Sequence, residues 1–241
     1  MFSSIRKYIK SSSDNKIALE IGGPTLLFTH EYFPNIDSEK YFELYSLFNS
    51  VDSVNLYNLE SFQTVKKSAN NTVYRTMYTS FDALTTKYDW LLSSHTIEHI
   101  ANPIKFLKDY RNLLNDEGHI ITFLPNKYMY WERHREFTTF EHIISDYEND
   151  VGEDDKTHIE ENLIDDHPYN INPNHPDNIS GLTWKQMCED NEKHRGMHHH
   201  VYSADTCQKL HEYCGFSTIA CFISPLDPLQ IIYIGKNINN N

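Results

Sequence analysis

Two short segments carry residue types and spacings that suit a ligand site. In the first, an apolar run at 17–19 leads through Glu20 into the turn Gly22-Gly23. In the second, the run 90–93 stops at Ser94-His95, and a helix pattern follows. A glycine turn lets the backbone approach a bound molecule closely, and a carboxylate accepts hydrogen bonds from it. The two segments therefore predict a cofactor pocket where two strands end.

Histidines near these segments and further along the chain are candidates for proton transfer. Histidine suits a general base because its ordinary pKa lies near neutral pH. We expect His200 to be the base, since it precedes a helix that begins beside the pocket, with His99 and Glu161 as the alternatives. His199 should point elsewhere, because adjacent residues do not share a face. Packing or helix capping is the competing interpretation for each histidine. The full candidate set is His95, His99, His158, His199 and His200.

No metal site is predicted from the sequence. His95 and His99 are four residues apart, and a helix would place them on one face. Zinc needs three or four ligands, however, and no thiolate is near. The run 198–200 contains three consecutive histidines, which cannot all face one ion from a strand or a helix. We therefore expect a chelator to leave activity unchanged.

The elements that position these residues alternate between strand and helix patterns. Apolar periodicity predicts a helix over 103–114, which Gly118 separates from the strand that follows. Ser203 caps another predicted helix, which continues through Tyr213. This alternation predicts an α/β fold with a Rossmann-like, seven-stranded, mostly parallel sheet and helices on both faces. The predicted strands lie at 17–21, 53–56, 72–75, 90–93, 120–125, 216–223 and 229–234.

Residues 126–198, called the inserted segment from here on, interrupt this alternation after the fifth strand. Between Trp131 and Asp166 there are thirteen Asp or Glu against three Lys or Arg. The segment is too long for a loop without structure of its own. Composition favours a solvated acidic excursion, but parallel sheets bind ligands beyond their carboxyl edge, where this segment leaves and returns. We therefore expect a single domain over 1–241 in which 126–198 form a lid that supplies the substrate pocket.

Overall composition restricts the partners of the chain. A formal net charge of −13 over 241 residues repels polyanions, so no nucleic-acid partner is expected. No apolar run approaches the roughly 20 residues of a membrane span. The four cysteines have no CxxC spacing, which favours reduced thiols in a cytoplasmic protein. The oligomeric state is left open, a homodimer included.

The order and spacing of the motifs resemble class I S-adenosylmethionine-dependent methyltransferases. With the motifs of the inserted segment added, the chain is similar to a bacterial subgroup associated with surface-glycan biosynthesis, that is, capsule and lipooligosaccharide. This resemblance extends over about 17–236. It is carried by Leu19-Glu20-Ile21-Gly22-Gly23-Pro24 and by the segments 51–55, 92–103, 135–142, 152–161 and 198–202.

The resemblance implies S-adenosylmethionine as the cofactor and assigns residues to it. Glu20, Gly22 and Gly23 would form the first-strand turn, although the family pattern has three spaced glycines there. Ser94 and His95 would lie beside the methionine part of the cofactor.

Two further cofactor residues are implied by position. Asn55, with Asn58 as the other candidate, stands where the family has an acidic residue for the ribose hydroxyls. An amide can still donate and accept there. Asp82 would face the adenine amino group. His134 replaces an arginine that is usual in the subgroup.

The expected reaction is an in-line displacement of the methyl group by a substrate oxygen, which requires alignment and a base. The resemblance implies a sugar hydroxyl as acceptor, whether the sugar is free, nucleotide-linked or glycan-linked. An amine or amide nitrogen and a small-metabolite carboxylate stay open as acceptors. A cofactor-binding partner subunit without catalysis is the alternative from a different class.

Overall fold

The computed structural model describes residues 2–22, 50–54, 74–78, 84–172, 174–175, 178, 181–224 and 228–238. The predictions for Gly23, Asn55, Asn58 and Asp82 lie outside the described residues.

Seven strands and eight helices are found in the described residues. The strands are β1 (Ile17–Ile21), β2 (Ser50–Val54), β3 (Tyr74–Tyr78), β4 (Tyr88–Ser94), β5 (Leu114–Pro125), β6 (Phe216–Ile223) and β7 (Gln230–Asn237). The helices are α1 (Phe2–Ser13), α2 (Pro103–Arg111), α3 (Phe140–Glu148), α4 (Ile159–Leu163), α5 (Pro168–Ile171), α6 (Trp184–Glu189), α7 (Asn191–His194) and α8 (Ala204–Tyr213). Short 3-10 helices lie at Ile97–His99, Lys127–Met129 and Trp131–His134.

The strands form one mixed sheet in the order β3-β2-β1-β4-β5-β7-β6. The first five strands in this order are parallel to one another, whereas β7 is antiparallel to both β5 and β6. The expected α/β architecture is therefore confirmed. The strand order reverses between β1 and β4, and in such sheets the ligand crevice opens at the carboxyl ends beside the reversal.

Helices cover both faces of the sheet. On one face, Ile9 of α1 packs against Ala18 and Trp90, and the Trp90 indole N–H donates to the Ser12 carbonyl at 3.1 Å. The sequence analysis assigned no helix at α1, although Ile5, Tyr8 and Ile9 have helical spacing. On the opposite face, α2 and α8 pack on a larger cluster that includes Leu19, Leu107 and Leu210.

The helices that follow the sheet edge have well-defined starts. Asn102 accepts from the Lys105 N–H at 3.1 Å, and Pro103 occupies the first turn of α2. The Ser203 hydroxyl accepts from the Thr206 N–H at 3.0 Å, so the predicted cap of α8 is confirmed.

The connection between α2 and β5 differs from the prediction. The helix ends at Arg111 rather than at 114, and β5 begins at Leu114, so that Gly118 lies inside the strand. The register against β4 is irregular there, and a Cβ on Gly118 would stand 2.9 Å from the Asn115 carbonyl oxygen. Glycine permits this tight bulge, and it was wrong to treat it as the boundary between helix and strand.

The inserted segment contains α3 to α7 and lies against the turn after β4. The His199 N–H donates to the Glu98 carbonyl at 2.8 Å, and the Asn102 amide donates to the Asp146 carbonyl at 3.2 Å. The Ala101 N–H donates to the Glu153 carboxylate at 3.3 Å. In the part of the chain that the structure describes, every helix is too short or too polar to cross a bilayer.

Candidate active site at the carboxyl edge of the sheet

The turn after β1 is locked to the turn after β4. Gly22 has a φ of +76°, a left-handed conformation that favours glycine. The Thr96 hydroxyl lies within 3.2 Å of the Ile21 and Ser94 carbonyl oxygens, to which it can donate. A Cβ on Gly22 would stand 2.0 Å from Thr96 Oγ1. The glycine is therefore required by the chain itself, in addition to any approach of a cofactor.

Polar groups at this edge are buried. Glu20 is fully buried on β1, where it pairs in register with Leu92 of β4. The hydroxyls of Ser93 and Ser94 are buried and have no hydrogen-bond partner among the described residues. Buried hydroxyls are normally satisfied, so the Ser94 hydroxyl at the end of β4 suits a ligand that bonds to it.

His95 follows β4 directly and is held from three sides. Its φ of +49° is unusual for a residue other than glycine. The backbone N–H of His95 donates to the Phe123 carbonyl at 3.0 Å, which joins this residue to β5. In the ring, Nδ1 lies 3.4 Å from a Glu98 carboxylate oxygen, and Nε2 lies 2.6 Å from Gln230 Oε1. The Tyr130 hydroxyl lies 3.4 Å from the same Nε2.

These contacts stabilise the protonated ring of His95. Burial lowers the pKa of His95, but the hydrogen bonds and charge of Glu98, with help from Gln230, outweigh burial and raise it. In the imidazolium form, Nδ1–H faces Glu98 and Nε2–H donates to Gln230. The same pairing lowers the pKa of the fully buried Glu98, against the effect of its burial. A proton on His95 is therefore stabilised by partners at both ring nitrogens.

The two alternative bases, His99 and Glu161, lie in less suitable surroundings. Burial lowers the pKa of His99 to about 3, and its Nδ1 donates to the Met197 carbonyl at 3.1 Å. Despite partial burial, the pKa of Glu161 is lowered to about 2 by the neighbouring His158 and by Arg135, 3.2 Å away. An ion-paired carboxylate with so low a pKa is a weak base.

His200, the first-choice base, is fully buried among other titratable groups. Its Nε2 lies 3.2 Å from the Ala101 carbonyl and 3.8 Å from the Asp146 carboxylate. Burial lowers the pKa of His200 well below its ordinary value, so the ring is neutral. The adjacent His199 also has a pKa lowered by burial, to about 3, and its Nε2 accepts from the Asn191 amide at 3.1 Å. The structure thus places His200 in a closed cluster rather than at the crevice.

A buried arginine organises the inserted segment behind this edge. Arg135 is 2% exposed and donates to the His198 carbonyl at 2.9 Å and to the His199 carbonyl at 3.4 Å. It faces the Glu161 carboxylate, and it lies 3.9 Å from that of Asp165. Burial nevertheless raises the pKa of Asp165 to about 7.

Several residues at the edge were not found by the sequence analysis. Thr96, Glu98, Tyr130 and Gln230 surround the predicted Ser94 and His95. Glu98 is three residues from His95 and could have been found from that spacing. Gln230 is 135 positions away, and only the pairing of β7 with β5 brings it to this edge.

Comparison with known proteins identifies the family of the chain. The chain matches the protein family described as Methyltransferase domain over residues 13–220, more than half of its 241 residues. The chain belongs to that methyltransferase family. The predicted class, an S-adenosylmethionine-dependent methyltransferase, is thereby confirmed. None of the curated proteins compared with it matches in sequence.

Solved structures with similar folds are distant in sequence. A SAM-dependent methyltransferase from Aquifex aeolicus has a TM-score of 0.47 and 9% identity, covering 98% of this chain and 89% of its own. A putative S-adenosylmethionine-dependent methyltransferase from Listeria monocytogenes has a TM-score of 0.45 and 11% identity, and the match covers 99% of this chain and 100% of the Listeria chain. A magnesium protoporphyrin IX methyltransferase with bound SAM from Synechocystis PCC 6803 has a TM-score of 0.47 and 9% identity, covering 98% and 77%. Similarities this low do not identify the substrate of this methyltransferase.

Proposed function

We propose that this methyltransferase methylates a sugar hydroxyl, with His95 as the general base. The observation that carries this proposal is the His95 ring, which lies between Glu98 and Gln230 at the crevice. A hydroxyl must lose its proton as the oxygen attacks, and the two partners of His95 stabilise the imidazolium that results. S-adenosylmethionine supplies the electrophilic methyl group when it is bound.

The cofactor pocket is proposed at the ends of β1 and β4. Glu20 would accept hydrogen bonds from the cofactor, and the turn at Gly22 would let it approach the backbone. The buried hydroxyl of Ser94 fits this role because it lacks a partner among the described residues. Gly23, Asn55 and Asp82 stay predictions as further cofactor residues.

For the base, the proposal prefers His95 to the residues ranked first from the sequence. His200, His99 and Glu161 stay predictions, but burial or ion pairing lowers the pKa of each. The surroundings of His95 raise its pKa, whereas burial lowers the pKa of His99, His199 and His200.

An acceptor surface is proposed beside His95, at the end of β5. Tyr128 is 64% exposed and the adjacent Met129 is 51% exposed. They precede Tyr130, which contacts the His95 ring. Exposed aromatic rings of this kind stack on the apolar faces of sugars. The later part of the inserted segment would close over this surface as a lid, since residues 146 and 153 bond to residues 101 and 102.

A cytoplasmic role in making bacterial surface glycans belongs to the same proposal. It rests on the subgroup resemblance and on four free cysteines. A homodimer is compatible with it but has no separate support.

Methylation of an amine is the second candidate, because the segment 131–166 carries an excess of ten negative charges. A negative field attracts cationic amines to a nearby site. Labelled methyl transfer to matched panels of nucleotide sugars, free sugars, amines and carboxylates separates the candidates. Label in sugars alone supports the proposal, and label in amines alone replaces it. Cofactor binding without transfer to any panel would indicate the non-catalytic alternative.

A further inference from the structure

Four side chains converge in a cluster separate from His95. His142 and Asp146 lie one turn apart on α3, His158 immediately precedes α4, and His200 lies shortly before α8. One nitrogen of each histidine and one carboxylate oxygen of Asp146 all lie within 4.8 Å of one another. Three separate stretches of chain therefore meet at one point.

Two separations within the group are close to those of a tetrahedral coordination shell, and a third is slightly longer. His142 Nε2 lies 3.2 Å from His158 Nε2 and 3.3 Å from Asp146 Oδ2. His200 Nε2 lies 3.8 Å from the same oxygen. Ligands at about 2.0–2.2 Å from a tetrahedral zinc ion are about 3.3–3.6 Å apart. The group thus needs little rearrangement to enclose an ion.

The hydrogen bonding of the cluster also indicates a missing partner. The Asp146 Oδ2 atom is buried and makes no hydrogen bond within the described residues, although His142 Nε2 lies 3.3 Å away. Two imidazole nitrogens 3.2 Å apart must share either a proton or a cation. A cation would satisfy the carboxylate oxygen and both nitrogens together.

We propose that His142, Asp146, His158 and His200 bind one divalent transition-metal ion, with Zn²⁺ as the expected occupant. Imidazole and carboxylate ligands suit zinc, and four protein ligands are typical of a closed, structural site. Three neutral imidazoles and one carboxylate leave the bound ion with a net charge of +1. The ion would fasten α3 and the start of α4 to the stretch of chain that precedes α8.

Outer contacts hold two of the ligands in place. The Glu161 carboxylate pairs with Nδ1 of His158, which leaves Nε2 directed at the cluster. The Asn102 amide holds the backbone of Asp146 at 3.2 Å. His200 Nε2 lies 3.2 Å from the Ala101 carbonyl and must exchange this contact for the metal.

Two neighbouring groups are weaker candidates. Glu98, His99 and His198 offer three donors, but His198 Nδ1 lies 2.5 Å from the Glu132 carboxylate and Glu98 is paired with His95. Asp155, His158 and His199 share His158 with the proposed site, and their measured separations are 3.7 and 4.0 Å.

The expectation of no metal site considered ligands that are close together in sequence. The proposed set runs from position 142 to position 200 and is brought together only by the packing of the inserted segment. The inference is independent of the acceptor and of His95 as the base.

The test is metal binding by the full chain after treatment with a chelator. Zinc content and zinc titration are measured for the wild type, for Asp146→Asn and for His142→Ala, with His134→Ala as control. Asp146→Asn preserves shape, His142 is 42% exposed in its side chain, and His134 is 54% exposed outside the cluster. Co²⁺ serves as a spectroscopic substitute, because four-coordinate cobalt absorbs visible light far more strongly than six-coordinate cobalt.

We expect one Zn²⁺ per chain, an intense cobalt spectrum and a melting temperature that rises with zinc in the wild type and His134→Ala. Each ligand variant should lose more than the roughly 10–100-fold in affinity that outer-shell changes cost. A folded wild type that binds no zinc overturns the proposal. Undiminished binding in folded Asp146→Asn also overturns it and shifts the assignment to Glu98, His99 and His198. If either variant fails to fold, the other variant and the wild-type cobalt spectrum decide.

Discussion

The hydroxyl of Thr96 lies where a side chain on Gly22 would have to go. An added Cβ would stand 2.0 Å from Thr96 Oγ1 and 3.1 Å from Thr96 Cβ. The two residues join the turns that follow β1 and β4, which frame the proposed cofactor pocket. Substitution of Gly22 therefore disturbs the frame of the site before it can block a ligand.

Gly22→Ala should destabilise the protein through Thr96 as well as through its own backbone. The left-handed conformation alone costs a residue with a Cβ about 1–2 kcal/mol, and the contact adds to this. The double variant Gly22→Ala/Thr96→Ala should be less destabilised than the sum of the two single variants, with a coupling of about 0.5–3 kcal/mol. Urea unfolding of all four proteins measures the cycle. Strict additivity would show that Thr96 does not impose the glycine.

Glu20→Gln should weaken cofactor binding without unfolding the sheet. The amide preserves the shape of the side chain but loses the charge and one acceptor oxygen. Leaving a ligand donor unpaired costs about 1–3 kcal/mol. Calorimetric titration with S-adenosylmethionine measures the loss, and Glu148→Gln, an exposed change at the end of α3, is the control. Unchanged affinity in Glu20→Gln would remove Glu20 from the pocket.

The fold could be predicted from sequence where a local pattern decided the outcome. The limits of β1 at 17–21 and the Ser203 cap of α8 agree with prediction, because short apolar runs and cap residues are local signals. The prediction that Gly118 separates α2 from β5 was wrong, because glycine is common both after helix ends and in strand bulges. The surroundings of His95 were not accessible, since Gln230 reaches them only through the pairing of β7 with β5.

The structure distinguishes the surroundings of the candidate histidines, which the sequence could not show. His95 and His200 look alike as residues that precede or begin a helix. The structure leaves the His95 side chain 22% exposed beside Glu98, whereas His200 is enclosed by His142, Asp146 and His158. The ranking of bases depends on the contacts of His95 with Glu98 and Gln230, which oppose the effect of burial and which no local pattern encodes.

His95→Asn should lower turnover by about 10²–10⁴-fold with little change in cofactor affinity. Asparagine is chosen because it tolerates the left-handed backbone at this position. His134→Asn, at an exposed position of the inserted segment, is the matched control. Full activity in a folded His95→Asn protein would exclude His95 as the base.

Glu98→Gln should move the acid limb of the pH profile of kcat/KM to lower pH. The base must be neutral to accept a proton, so activity rises as pH passes the pKa of His95. The Glu98 carboxylate raises that pKa, and its removal lowers it. Initial rates from pH 5 to 9 for both proteins make the comparison. If the acid limbs of the two profiles superimpose, a group other than His95 controls the rise in activity.

Tyr128→Ser should raise the KM for the acceptor about tenfold, which corresponds to about 1.4 kcal/mol of lost binding. The side chain is 64% exposed next to the residues that flank His95, and the substitution removes its ring. Affinity for S-adenosylmethionine should not change. Ile171→Ser removes a 70% exposed apolar side chain on α5 and serves as control. Equal effects of the two variants would argue against an acceptor surface at Tyr128.

Asp165 should make the stability of the protein fall between pH 4 and pH 7. Burial raises its pKa to about 7 even though Arg135 lies 3.9 Å away, and its two oxygens have no hydrogen-bond partner among the described residues. In the unfolded chain, an aspartate has a pKa of about 3.9. The folded state therefore binds the additional proton between these values, and the free energy of unfolding decreases as pH rises through this range.

Asp165→Asn removes this contribution and isolates it from the other titrating groups. His99 and His199, whose pKa values are lowered to about 3, act in the opposite direction in both proteins and cancel in the comparison. Urea unfolding at pH 5 and pH 7 gives the free-energy difference between wild type and variant. The free energy of unfolding of the wild type should increase relative to that of Asp165→Asn as the pH is lowered from 7 to 5. A difference that is independent of pH would show that Asp165 is ionised in the folded state, paired with Arg135.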